Sequence, residues 1–179
     1  MRHRLLLVVL GISAVATGSS SAQVKPARRV GLLQYLQISH TGVTRDLLAA
    51  AELMPAADYD FKPTTMAAAR TFGGVIAHAS GAMFDACARL RGVANPTPEA
   101  DRKVSSKAEV VQTLREAIAF CTEAVGAIDE AGAAGYIAQG PAEVPRSAAL
   151  AGLLAHDAEM FGISTVYLRA RNLVPPGSK

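Results

Sequence analysis

His156-Asp-Ala-Glu-Met-Phe-Gly162, running into Tyr167-Leu-Arg169 and stopping at Val174-Pro-Pro176, is the stretch on which the reading of this 179-residue chain turns. It lies inside a helix expected from near Ser147 to Arg171-Asn172. Asparagine suits the left-handed residue that ends many helices, and the two prolines beyond cannot continue one. Arg169 and Arg171 fall in the last turn, where cations offset the negative end of the helix dipole. Histidine and glutamate inside an otherwise apolar, alanine-rich helix point to chemistry as well as packing.

Three more helices follow from the same kind of reading, since alanine is abundant and β-branched runs are scarce. The first is expected over Val30–Leu53. Leu33, Leu36, His40, Val43, Leu47, Ala50 and Met54 recur at alternating steps of three and four. Pro55 closes it, because proline disfavours helix at the residue before it. The second is expected from Thr71 as N-cap to Arg91-Gly92, with Phe72, Ile76, Ala79, Met83, Cys87 and Leu90 inward. The third runs from about Ser106 to Ala131, with Val110, Leu114, Ala117, Cys121, Val125 and Ile128 inward. Gly92–Ser105 and Gly132–Pro145 are connectors. Four amphipathic helices make an all-α four-helix bundle.

The N-terminus reads as a targeting segment. Met1-Arg-His-Arg4 is basic, Leu5–Ala16 is an apolar run of 12 residues, and Ser20-Ser-Ala22 fits a small-x-small cleavage rule. That run is too short for a bilayer span, which needs about 20 residues. The expected division is a signal peptide over 1–22 and one domain over 23–179, in a secreted or periplasmic protein without membrane attachment after cleavage. Losing Arg2 and Arg4 leaves 16 basic against 15 acidic residues. With no basic block and no tryptophan, nucleic acid is not an expected partner. A small molecule is the expected partner, and homodimerisation stays open. Cys87 and Cys121 read either as a disulfide, plausible in an oxidising compartment, or as two buried thiols.

Two blocks carry a family resemblance. Met54-Pro-Ala-Ala-Asp-Tyr-Asp-Phe-Lys-Pro-Thr64 followed by Arg70-Thr-Phe-Gly-Gly-Val-Ile-Ala-His78 is the first, and His156–Pro176 is the second. Together they resemble the DinB-like superfamily, whose secreted members carry M-P-x-x-x-Y-x-F-x-P-T, R-T-F-G-E-x-x-x-H and H-x-x-E-H-Y-G patterns. The resemblance implies an up-down-down-up bundle with three histidines holding a divalent metal at one end. It further implies metal-dependent hydrolase or thiol-transferase ancestry; export argues against the latter, whose low-molecular-weight thiols are cytoplasmic. By motif position the ligands are His78 and His156, while the third histidine is replaced by Met160. Phe161, Gly74 and Asn172 also depart from the pattern, standing for Tyr, Glu and Gly.

Positions 156 and 160 share a helix face, so a third imidazole there would complete a three-nitrogen site with an open position for Zn²⁺ or Ni²⁺ chemistry. Methionine sulfur is a poor ligand for such ions and suits Cu(I). Three readings follow. The site is lost and Met160 fills core; another residue replaces the ligand, with His40 on the inward stripe or Glu159 one turn from His156 as candidates; or His78, His156 and Met160 make a soft copper site. Asp157 faces about 100° away from His156 and is the weaker candidate.

Overall fold

The computed structural model describes residues 27–102 and 106–178. The expected signal segment 1–22 and its cleavage point after Ala22 lie outside the described residues. Four long helices form the body: α1 (Leu32–Leu53), α2 (Phe72–Arg91), α3 (Lys107–Gly126) and α5 (Arg146–Ala170). Between the last two lie a short helix, α4 (Glu130–Ala134), and two strands, β1 (Tyr136–Gln139) and β2 (Ala142–Pro145).

Local chemistry sets most boundaries where the sequence indicates them. The Thr71 hydroxyl accepts from the Gly74 amide at 3.0 Å and opens α2. Ser106 and Glu109 form a reciprocal capping box at the start of α3, satisfying donors that a helix start leaves free. Asn172 takes φ 60°, the left-handed value that stops α5. At the C-terminal end of α1, the Lys107 ammonium reaches across to the carbonyls of Glu52 and Met54 at 2.6 and 2.8 Å.

Two segments differ from expectation. The third helix does not continue to Ala131: α3 stops at Gly126, and the Asp129 carboxylate accepts from the Gly132 amide at 2.7 Å to start α4. Aspartate there competes for backbone donors as a cap, rather than serving only as a solvated face. The connector Gly132–Pro145 contains the antiparallel hairpin β1–β2, with Tyr136 opposite Pro145 and Gln139 opposite Ala142. Its turn passes through Gly140 at φ 60°, a conformation glycine adopts without steric cost.

The inward stripes of α2 and α3 are buried along their whole expected length. On α1 the stripe slips by one residue midway: Thr44 is buried and Val43 only half-buried, as a 3.6-residue helix drifts against a 3.5-residue repeat. Antiparallel packing of α1 and α3 shows in its two ends. Gln37 donates to Val125 and Ile128 carbonyls at one, and Arg115 pairs with Glu52 at the other. Helices α2 and α5 are also antiparallel, with Arg146 Nε on the Leu90 carbonyl at 3.2 Å and Tyr167 OH on the Arg70 carbonyl at 2.7 Å. Among the described residues, no helix is long and apolar enough to cross a membrane.

Cys87 of α2 and Cys121 of α3 are joined in a disulfide, with Cα atoms 5.3 Å apart and both residues buried. The bridge closes a loop of 34 residues, enough to constrain the unfolded chain by about 2–4 kcal/mol. Replacing both cysteines by alanine is therefore expected to lower the melting temperature by roughly 5–15 °C. Thermal denaturation followed by circular dichroism checks this, and an unchanged midpoint would show that the bridge contributes nothing.

Candidate functional site

The α2–α5 seam brings two of the sequence-expected residues face to face. His78 sits one and a half turns into α2 and His156 near the middle of α5; both are half-buried. Their Nε2 atoms are 3.4 Å apart, with ring centroids at 5.2 Å and an interplanar angle of 71°. A hydrogen bond between ring nitrogens would normally be shorter. Two nitrogens each about 2.1 Å from a tetrahedral Zn²⁺ stand about 3.4 Å apart, so the spacing suits a shared ion.

Electrostatics keep His78 ready to donate a lone pair. Burial lowers its pKa, the Arg70 and His156 charges lower it further, and Asp101 and Glu159 pull it back. The imidazole is thus neutral at neutral pH, the form that ligates a metal. Asp101 is near because the backbone of its turn presses on α2 at Gly81, where a Cβ would lie 2.9 Å from the Asp101 amide nitrogen.

Beneath the pair lies a residue that sequence reasoning set aside. Asp157 is wholly buried, with Oδ1 3.9 Å from His156 Nδ1 and Oδ2 3.6 Å from His40 Nε2. Both separations exceed a hydrogen bond, and neither carboxylate oxygen nor these two nitrogens has a hydrogen-bond partner among the described residues. The carboxylate nonetheless favours a proton on His156 Nδ1, which leaves the Nε2 lone pair facing His78, the arrangement common behind histidine ligands. Burial pushes the Asp157 carboxyl up, opposed by His156 and His40. A signal for this residue was available: Leu150, Leu153, Asp157, Met160, Ser164 and Tyr167 follow steps of three and four and are all buried.

The remaining candidates differ in burial and in partners. His40 is buried on α1 and faces Asp157. Met160 is 6% exposed and belongs to the apolar core. Glu159 is exposed and reaches His78 only through its charge. Among the described residues no three His, Cys, Asp or Glu side chains converge tightly enough to enclose a metal ion. What the arrangement offers is one pair of facing imidazole nitrogens.

Comparison with known proteins agrees with this architecture. The sequence profile of the DinB superfamily matches residues 40–159. A DinB-like protein from Bacillus cereus ATCC 10987 superposes with a TM-score of 0.70 at 18% identity, covering 80% of this chain and 95% of that one. A conserved protein from Enterococcus faecalis superposes at 0.63 with 14% identity, covering 79% and 98%. No curated protein matches the chain.

The buried His40 yields a pH prediction. Desolvation by burial lowers its pKa from 6.5, with Asp157 opposing. The unfolded chain then takes up a proton near pH 6.5 that the folded chain refuses, so stability present above that pH is lost as the pH falls through the folded value. Asp157 acts with the opposite sign, its raised pKa costing stability as the pH rises through it. His40→Gln is therefore expected to lose less stability between pH 7 and pH 5 than the parent. Melting temperatures across that range check this, and parallel losses would assign the acid sensitivity to other groups.

Proposed function

The chain belongs to the DinB superfamily, and from that premise we propose that it is an exported, metal-dependent hydrolase built on the up-down-down-up bundle. Its metal is one divalent ion, Zn²⁺ or Ni²⁺, held between His78 and His156. The observation that carries this reading is the facing pair of Nε2 atoms at 3.4 Å. Antiparallel α1/α3 and α2/α5 pairs support the helix order. A disulfide between the chain's two cysteines supports export, since such bridges persist in oxidising compartments.

In this reading His78 and His156 supply two neutral nitrogen ligands, and Asp157 fixes the ring of His156. An ion bound there supplies Lewis acidity to a substrate carbonyl. Met160 in place of a third imidazole leaves a weaker seat and one more open position than a three-histidine site. His40 keeps to Asp157 and serves orientation, and Glu159 contributes negative charge at the rim. Cu(I) is the poorer fit, because Met160 is packed in the core.

One observation favours a second reading. Met160 is buried as ordinary apolar filling, which a bundle that has lost its metal and serves as a non-catalytic binding or structural module would also show.

Metal retention separates the two. After loading with Zn²⁺ or Ni²⁺ and desalting, elemental mass spectrometry is expected to find close to one metal per chain, lost in His78→Ala and His156→Ala. Met160→His restores a third imidazole, and a gain of even about 1.4 kcal/mol tightens the affinity about tenfold. A parent chain that retains no metal would overturn the hydrolase reading in favour of the structural module.

A further inference from the structure

A groove of about 200 Å³ opens beside His156 along the same α2–α5 seam. Small side chains make its floor: Ala82 and Ala86 from α2, and Gly152 from α5. Arg89 and Gln139 stand at its far end. From Ala82 to Arg89 the helix advances seven residues, or about 10 Å. Because α2 and α5 are antiparallel, His156 lies at the Ala82 end and the start of α5 at the Arg89 end. The hairpin β1–β2 brings Gln139 over that end from its tip.

The charge at the far end is uncompensated. Arg89 is exposed, and it makes no ion pair among the described residues. The carboxylate one turn before it, Asp85, is turned onto the Asn95 amide at 2.6 Å, and no acidic side chain lines the groove. Gly152 adds a second indication. A Cβ there would meet nothing within 4 Å, so helix packing does not require glycine, which costs about 1 kcal/mol in a helix interior. What glycine does provide is an open wall. The volume lies below that of pockets for drug-sized ligands, so the occupant is short and slender.

Resting on the metal-site reading above, we propose that this groove binds the substrate: a small, slender molecule with an acid group, carboxylate or phosphate, on the Arg89 guanidinium. Its hydrolysable bond then lies about 10 Å away at the His156 end of the groove. Guanidinium suits either anion through paired donors, and the Gln139 amide offers a further one. The apolar floor accepts an unbranched linker and excludes bulky substituents near Ala86 and Gly152.

Suberate and hexyl phosphate, titrated separately into the zinc-loaded protein by calorimetry, test the assignment and tell the carboxylate from the phosphate. At least one of them is expected to bind, and Arg89→Gln to weaken it about tenfold. Gly152→Leu, whose Cβ would meet nothing within 4 Å, is expected to weaken it similarly, and Arg89→Lys to recover part of the loss. Zinc content should be unchanged in all three variants. Binding unaffected by Arg89→Gln, or no binding of either probe, overturns the groove assignment even where zinc is retained. Failure of the metal reading looks different. Zinc is then absent from the parent chain, while the Arg89 dependence persists in titrations of the zinc-free protein.

Discussion

The register between α2 and α5 is the constraint on which the rest of the structure depends. Two hydrogen bonds at opposite ends of the seam fix it: Arg146 Nε to the Leu90 carbonyl, and Tyr167 OH to the Arg70 carbonyl. Each joins an α5 side chain to backbone within α2 or just before it, so sliding one helix against the other by a single turn, about 5.4 Å, would break both. With the ends pinned, His78 and His156 meet in the middle, and Ala82, Ala86 and Gly152 fall opposite one another as a groove. Tyr167 packs in turn against Phe61, edge to face, and against the tilted ring of Phe72. The irregular segment before α2 thus helps to set the position of a histidine two turns away.

A second layer of order comes from polar groups placed where water does not reach. Asp157 lies at the centre of the bundle with an imidazole on either side. Desolvation lowers the pKa of His40 and raises that of Asp157, and the charges of their neighbours oppose both shifts. Such a cluster is a poor source of stability, because buried charges recover little of their hydration cost. Its value is directional. A carboxylate behind His156 favours one tautomer of that ring, and the ring then presents its lone pair to the seam.

Much of this was legible in the sequence, and the legible parts share a cause. Caps at Thr71, Ser106 and Asn172 depend on contacts within a few residues, so residue type alone indicates them. The stripes of α2 and α3 repeat over five turns and survive one or two exceptions. Met160 lies in the apolar core, where a thioether on an inward stripe ordinarily packs. The hairpin was missed because its strands are four residues each, and Tyr136-Ile-Ala-Gln139 carries no strong alternation of apolar and polar residues. Asp157 was set aside for its angle to His156, although that angle turns it into the inward stripe of its own helix. A charged residue on such a stripe is the signal to weigh, since carboxylates are seldom buried without a role.

The bridge between α2 and α3 also bears on how the protein is made. Cys87 and Cys121 are the only cysteines in the chain, so oxidation admits one intramolecular product and no scrambled isomers. The bridge ties α2 to α3 through a loop of 34 residues and leaves α5 outside that loop. The half of the seam that carries His78 is therefore held by a covalent bond, whereas the half that carries His156 is held by packing and hydrogen bonds alone.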